Sequence, residues 1–304
     1  MLPELQGKMA TRISVIAPVR NETPWIGYSV MAAKDHVDGF IYSVDPTSDD
    51  GTLELLHDLR NELGGSKIKL LLDKEFAFDP KDMAAYNRAF NVCVEEAKGD
   101  AVFFLHPDML ITEWPQGGLP DSLAWWTNVT SYAGDFQTVI TKGRCDKWKN
   151  IHKKEFDLHY WGAYGSVNED FYHRDITGNA HHHYGTDFSK YPFEVKDSGI
   201  KVNHYCELKS YKRRLEKMKL CLKTQHPTAE DRAIDEIAVH HPRVSLEMGP
   251  TRFGEFEFTQ MGNPTPDLIT RYQERFEAYL PKEKRHGLHS EDQQHLDGRH
   301  ELIC

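Results

Sequence analysis

The chain has 304 residues, a formal net charge of -10 at pH 7 and 39% hydrophobic residues. This length and apolar content suffice to bury a large core, which excludes a disordered chain. No run of about 18 apolar residues occurs, which argues against a membrane-spanning helix. Residues 1–10 lack the basic start and apolar stretch of a signal peptide, so we expect a soluble, cytoplasmic protein.

The five cysteines are scattered and have no C-x-x-C spacing. This distribution favours a reducing compartment and argues against both a disulfide framework and a thiolate zinc site. The 17 histidines lie mostly in polar or terminal segments, where a surface position is the simplest interpretation.

Positive charge concentrates in the middle of this acidic chain. Residues 139–223 hold 17 Lys and Arg against 11 Asp and Glu, a surplus of six positive charges. Such a segment suggests a local anionic ligand, such as a diphosphate or a nucleic-acid backbone. For residues 209–223 taken alone, a solvated helix face is the simpler interpretation.

Short β-branched apolar runs alternate with amphipathic segments over roughly the first hundred residues. We predict strands at residues 13–19, 39–44, 67–72 and 101–105, and helices at residues 25–34, 52–63 and 83–97. The alternation predicts βαβ units and a mostly parallel sheet.

The pattern becomes mixed after residue 120. We predict strands at 136–141 and 200–205, a basic helix at 209–224 and an amphipathic helix at 267–279. The predicted organisation is one domain over residues 10–225, a mainly helical C-terminal extension over 226–280 and a polar, mobile tail over 281–304.

Polar side chains follow the predicted strands where they end, and ligands of open α/β sheets bind at that edge. They are Arg20, Asn21, Glu22, Asp45, His106 and Asp108. No Gly-rich loop follows the first strand, which argues against a Rossmann dinucleotide site and a P-loop. An acidic residue after the second strand can bind a base or ribose, and one after the fourth can hold a divalent cation on a diphosphate.

Six segments, in this order, resemble motifs of family 2 glycosyltransferases. They read ISVIAPVRNE at 13–22, VDPTSDDGT at 44–52, YNRAFN at 86–91, AVFFLHPD at 101–108, NEDF at 168–171 and VNHY at 202–205. The resemblance covers residues 12–223. It implies a GT-A fold, as in nucleotide-diphospho-sugar transferases, with a mostly parallel central sheet flanked by helices.

The resemblance implies transfer of a sugar from a nucleoside diphosphate sugar, UDP by default, to an acceptor hydroxyl with inversion. The donor-binding residues would be Pro18, Arg20, Asn21, Glu22, Asp45, Arg88, His106, Lys142 and Arg144. Asp108 and His204 would hold Mn²⁺ or Mg²⁺. His106 stands where the family has the first aspartate of Asp-x-Asp and is a third candidate ligand.

The candidate general base that would deprotonate the acceptor hydroxyl is Asp170, with Glu169 as the alternative. The acceptor stays open between a glycan and a modified nucleobase, and the oligomeric state stays open too. The acidic total argues against extended nonspecific DNA binding.

Two other functions remain open at this stage. A nucleotidyltransferase of related architecture would use the same sheet and cation, although such enzymes carry a Gly-rich basic loop after the first strand. A catalytically weakened nucleotide- or sugar-binding relative is the other alternative, because the Asp-x-Asp motif here reads His-Pro-Asp.

Overall fold

The structure is a computed structural model, and the described residues fall into twelve ranges. They are 11–72, 83–142, 146–154, 159–160, 172–174, 180–182, 194–209, 211–225, 229–241, 249–251, 254–261 and 265–281.

The N-terminal third alternates strands and helices as the sequence predicts, with every boundary within one residue. In chain order the elements are β1 (Ile13–Val19), α1 (Trp25–Ala33), β2 (Gly39–Val44), α2 (Thr52–Glu62), β3 (Ile68–Leu71), α3 (Met83–Glu96) and β4 (Ala101–Phe104). Strand β1 pairs in parallel with β2 and with β4, and β2 pairs in parallel with β3.

Strand β1 lies in the centre of the core. Its residues Ile13, Val15, Ile16 and Val19 are all buried, so both faces of the strand are covered. A strand buried on both faces has no polar alternation, which explains why it reads as one continuous apolar run.

The remaining elements complete a larger sheet and add three helices. They are β5 (Met109–Glu113), β6 (Ala124–Ala133), β7 (Thr138–Lys142), β8 (Lys147–Lys153), β9 (His159–Tyr160), β10 (Tyr172–Arg174), β11 (Ala180–His182), β12 (Val195–Glu207), α4 (Tyr211–Gln225), α5 (Asp231–Val239), β13 (Gly249–Thr251), β14 (Gly254–Gln260) and α6 (Asp267–Glu277).

The main sheet is mixed, which corrects the expectation of a mostly parallel one. Its strand order is β13-β14-β7-β6-β8-β4-β1-β2-β3, and β12 joins it by pairing with β5 and β6. Strand β8 pairs antiparallel with both β4 and β6. Residues 105–154 supply no crossover helix within their described part, and antiparallel neighbours need only short connections.

The described part of residues 226–280, for which a mainly helical extension is predicted, contains both helices and strands. It contributes α5 and α6, but also β13 and β14, and β14 pairs antiparallel with β7. Strand pairing therefore crosses the predicted boundary at residue 225. Residues 282–304, which include almost all of the predicted tail, lie outside the described residues.

Helix α6 packs against the N-terminal helices. The buried ring of Phe276 lies 5.4 Å from the ring of Tyr28, and a Cβ added to Gly27 would meet that Phe276 ring at 2.7 Å. Glycine is therefore required where α1 and α6 meet. Within the described part of the chain, no helix is both long and apolar enough to cross a membrane.

Cys93 of α3 is expected to resist alkylation in the folded protein. The side chain is fully buried, and burial raises the pKa of its thiol to about 12, whereas an exposed thiol titrates near pH 8.5. Peptide-resolved mass spectrometry after iodoacetamide at about pH 8.5 should show Cys93 unmodified in buffer and modified in urea. Equal labelling under both conditions would contradict this burial.

Candidate functional site

Asp45 and Arg20 meet where β1 and β2 end. The register pairs Val19 with Val44, and the N–H of Asp45 donates to the carbonyl of Val19 at 2.9 Å. Asp45 is 4% exposed, and Oδ1 accepts hydrogen bonds from the N–H and the hydroxyl of Thr47 at 2.7 and 2.6 Å. The other oxygen lies 3.6 Å from Nε of Arg20. This carboxylate is therefore oriented by its own turn and faces a cation.

The loops that follow β1 and β2 are joined by side-chain hydrogen bonds. Oδ1 of Asn21 accepts from the N–H of Asp49 at 2.9 Å, and the N–H of Glu22 donates to Oγ1 of Thr52 at 2.8 Å. Asn21 has a positive φ of 52°, a conformation that asparagine tolerates better than most residues. The two loops therefore form one fixed platform at the carboxyl edge of the sheet.

Asp108 and His204, which the resemblance implies as cation ligands, lie side by side. Strand β5 pairs antiparallel with β12, with Met109 opposite His204, and the N–H of Tyr205 donates to the carbonyl of Asp108 at 2.9 Å. Nε2 of His204 lies 3.4 Å from Oδ1 of Asp108. Both side chains are buried, which makes this a desolvated charged site.

Two lysines contact the other side of the Asp108 carboxylate. Nζ of the buried Lys209 lies 2.9 Å from Oδ2 of Asp108 and 2.6 Å from Oε2 of Glu22, and Nζ of Lys217 lies 3.4 Å from the same Oδ2. Burial alone would raise the pKa of Asp108, but the ammonium groups of Lys209 and Lys217 outweigh it and hold that pKa well below its usual range. Asp108 is therefore ionised and neutralised by lysine.

A third basic residue of the same segment also binds the platform. Nη1 of Arg213 donates to the carbonyl of Thr23 at 2.7 Å, and Nη2 donates to Oδ2 of Asp50 at 3.0 Å. Lys209, Arg213 and Lys217 recur every four residues, the spacing of one helix face. For residues 209–223 a solvated helix face is the simpler prediction, with added charge at the diphosphate as the alternative, and the three side chains in fact contact buried groups of the platform and Asp108. The fourfold spacing directly after a strand that ends at this edge is the signal that could have found them.

His106 belongs to an aromatic group beside the site. Its half-buried ring lies 4.3 Å from the Phe104 ring and 5.2 Å from the Trp148 ring, and 6.1 Å from the His204 ring. Trp148 also contacts His204, at 5.0 Å between ring centroids. The basic segment around Trp148 thus reaches the site through this buried indole.

The other predicted site residues lie on neighbouring elements or outside the described residues. Pro18 is half-buried within β1, opposite Ser43, and Arg88 is exposed on α3. Lys142 ends β7, where its backbone pairs with Glu257. The candidate bases Asp170 and Glu169, and the candidate donor-binding Arg144, lie outside the described residues, so their roles stay predictions.

The side chains around Asp108 do not suit the divalent cation that the resemblance implies. Oδ2 already contacts two ammonium groups, and Oδ1 faces His204. A divalent cation there would lie beside two positive charges. Among the described residues, no group of three or more His, Cys, Asp and Glu side chains is arranged to hold a metal ion.

Solved structures include distant likenesses to this chain. No protein-family model and no curated protein matches the sequence. The crystal structure of TarS from S. aureus, a glycosyltransferase, is 15% identical with a TM-score of 0.37. The match covers 94% of this chain and 53% of that one, so the chain spans about half the length of TarS.

Proposed function

We propose that the protein is a glycosyltransferase of GT-A type, which moves a sugar from a nucleoside diphosphate sugar to an acceptor hydroxyl. The observation that carries the proposal is the convergence of Asp45, Asp108 and His204, each buried, at the carboxyl edge of β1, β2 and β4. Ligands of open α/β sheets bind at this edge. The order of the six sequence motifs agrees with it.

In this proposal Asp45 binds the nucleoside. Its carboxylate is held by Thr47, and an ionised carboxylate accepts hydrogen bonds from ribose hydroxyls or from a base N–H. Arg20, which is 37% exposed, extends beside it and is available to the ligand. The donor nucleotide is UDP by default. The other predicted donor-binding residues are proposed to belong to the same site, namely Pro18, Asn21, Glu22, Arg88, His106, Lys142 and Arg144.

The diphosphate is proposed to lie towards Asp108 and Lys217, away from the nucleoside. When the bond between the sugar and the β-phosphate oxygen breaks, its electron pair goes to that oxygen, and the departing group gains negative charge. The acceptor hydroxyl oxygen attacks the opposite face of the sugar, and its proton goes to a carboxylate base. Asp170 is proposed for this role, with Glu169 second.

The loop after β1 argues against nucleotidyl transfer. Its backbone N–H groups at Glu22 and Thr23 already donate to side chains that follow β2, namely Thr52 and Asp50. They are therefore engaged within the protein and do not form the open phosphate-binding loop that such enzymes require.

Asp45→Asn is expected to weaken binding of the preferred nucleoside diphosphate about tenfold, because it removes the charge but keeps the shape of a hydrogen-bonding partner. Titration calorimetry of the full chain with UDP, GDP, CDP and ADP measures this effect. Asp49→Asn, an exposed position of the same loop, is the matched control and should leave the affinity unchanged.

Turnover separates an enzyme from a binding protein. The unaltered chain should release nucleoside diphosphate slowly from the matching sugar nucleotide in water, and Asp170→Ala should abolish transfer while binding persists. Binding without any release of diphosphate would favour the catalytically weakened relative. Absence of any nucleotide binding would refute the proposed function.

A further inference from the structure

We infer that Lys209 and Lys217 take the place of a divalent cation, so that the nucleoside diphosphate binds without metal and Lys217 contacts its phosphates. This inference rests on the proposed function and names the charge that the proposed site uses. Its basis is that both ammonium groups contact Asp108, the residue that the resemblance implies as a cation ligand.

The two lysines differ in burial, and this assigns them different roles. Lys209 is 3% exposed and lies between Glu22 and Asp108 at 2.6 and 2.9 Å, so both carboxylates hold its ammonium group. The ammonium group of Lys217 lies farther from Asp108, with Nζ 3.4 Å from Oδ2, and the Lys217 side chain is 42% exposed. Lys209 is therefore a positioning residue, and Lys217 is the cation that can reach a ligand.

Two carboxylates and two ammonium groups face one another at this position. Glu22 and Asp108 carry two negative charges, and Lys209 and Lys217 carry two positive charges, all within 3.4 Å of a partner. A divalent cation added to this group would be repelled by two ammonium groups in a desolvated site. An ammonium group has three N–H donors, so Lys217 can bind Asp108 and phosphate oxygens at the same time.

A neighbouring arginine holds this basic segment against the loops at the carboxyl edge of the sheet. Arg213 binds Asp50 at 3.0 Å and the carbonyl of Thr23 at 2.7 Å, which fixes α4 against the loops after β1 and β2. Lys217 lies one helical turn after Arg213, so the position of its backbone relative to the strand ends is fixed. A lysine fixed in this way can stabilise developing charge without reorganising.

In the proposed reaction Lys217 acts on the leaving group. The bond between the sugar carbon and the β-phosphate oxygen breaks, and that oxygen keeps the electron pair. Lys217 donates an N–H hydrogen bond to the oxygen and stays protonated. The only proton that is transferred passes from the acceptor hydroxyl to the carboxylate base.

The test is titration calorimetry of the full chain with UDP, GDP, CDP, ADP and the matching monophosphates, in EDTA and in Mn²⁺. We expect the preferred diphosphate to bind in EDTA with an affinity close to that in Mn²⁺. Lys217→Ala should weaken the diphosphate about tenfold or more and the monophosphate much less, because one charge-assisted contact is lost. Lys217→Arg should recover part of the loss.

The control is Lys212→Ala, which removes an exposed lysine from the same helix and should leave both affinities unchanged. Diphosphate binding that requires Mn²⁺, or that Lys217→Ala leaves unaltered, would overturn the inference while the proposed function stands. Absence of nucleotide binding under both conditions would overturn the proposed function and the inference with it. Titration of the unaltered chain in EDTA needs no variant, so a folding defect of Lys217→Ala cannot obscure the result.

Discussion

Asp108→Ala is expected to lower the free energy of unfolding by about 3–5 kcal/mol, the usual cost of removing one partner from a buried ion pair. The substitution leaves Lys209 buried with Glu22 as its remaining carboxylate contact. Urea denaturation followed by circular dichroism measures the loss.

A surface aspartate supplies the comparison. Asp100 makes an ion pair with Arg12 at 2.8 Å, nearly the distance between Asp108 and Lys209, but its side chain is 49% exposed. Asp100→Ala should cost far less, because solvent screens exposed pairs. Equal losses at Asp100 and Asp108 would contradict the buried network.

Gly51→Ala is expected to cost about 2–5 kcal/mol of stability, from two separable causes. Gly51 precedes α2 with a φ of +82°, where any other L-residue is strained by about 1–2 kcal/mol. An added Cβ would also lie 2.2 Å from the carbonyl oxygen of Tyr279, and overpacking of this kind costs about 1–3 kcal/mol. Chemical denaturation of the full chain measures the total loss in the free energy of unfolding.

Gly64→Ala separates the two causes. Gly64 has a similar φ of +90°, but nothing lies within 4 Å of the position where its Cβ would be. Its substitution should show the backbone strain alone, about 1–2 kcal/mol. If Gly51→Ala lowered the free energy of unfolding no more than Gly64→Ala does, the segment that follows α6 would be free to move away from α2.

The sequence predicts the parallel part of the fold well because its signals are local. Continuous apolar strands such as residues 13–19 alternate with amphipathic helices, and these patterns identify β1 to β4 to within a residue. The antiparallel strands β6 and β8 fall outside these predictions. Strand β6 is rich in aromatic and polar residues, and strand β8 lies in a basic segment that suggested a ligand rather than a strand.

The candidate site is predictable only in part, because only some of its residues belong to local sequence patterns. Asp45, Asp108 and His204 follow or lie in strands, so strand ends and motif order place them together. The contacts of Lys209 are not predictable from local patterns, because its partners, Glu22 and Asp108, are 187 and about a hundred residues away in the chain. The fourfold spacing of basic residues predicts a basic helix face, but it does not show which carboxylates contact that face.

The long chain separation between Glu22 and Lys209 has a consequence for assembly. Contacts between distant segments form only after the intervening chain has closed into a loop. Asp108 lies in the first half of the chain, whereas Lys209 follows β12. The ammonium group of Lys209 offsets the free-energy cost of burying the Asp108 carboxylate. The carboxyl edge therefore acquires its final electrostatic state only when β12 has entered the sheet beside β5 and β6. A ligand that needs this edge would select completely folded molecules over partly folded ones.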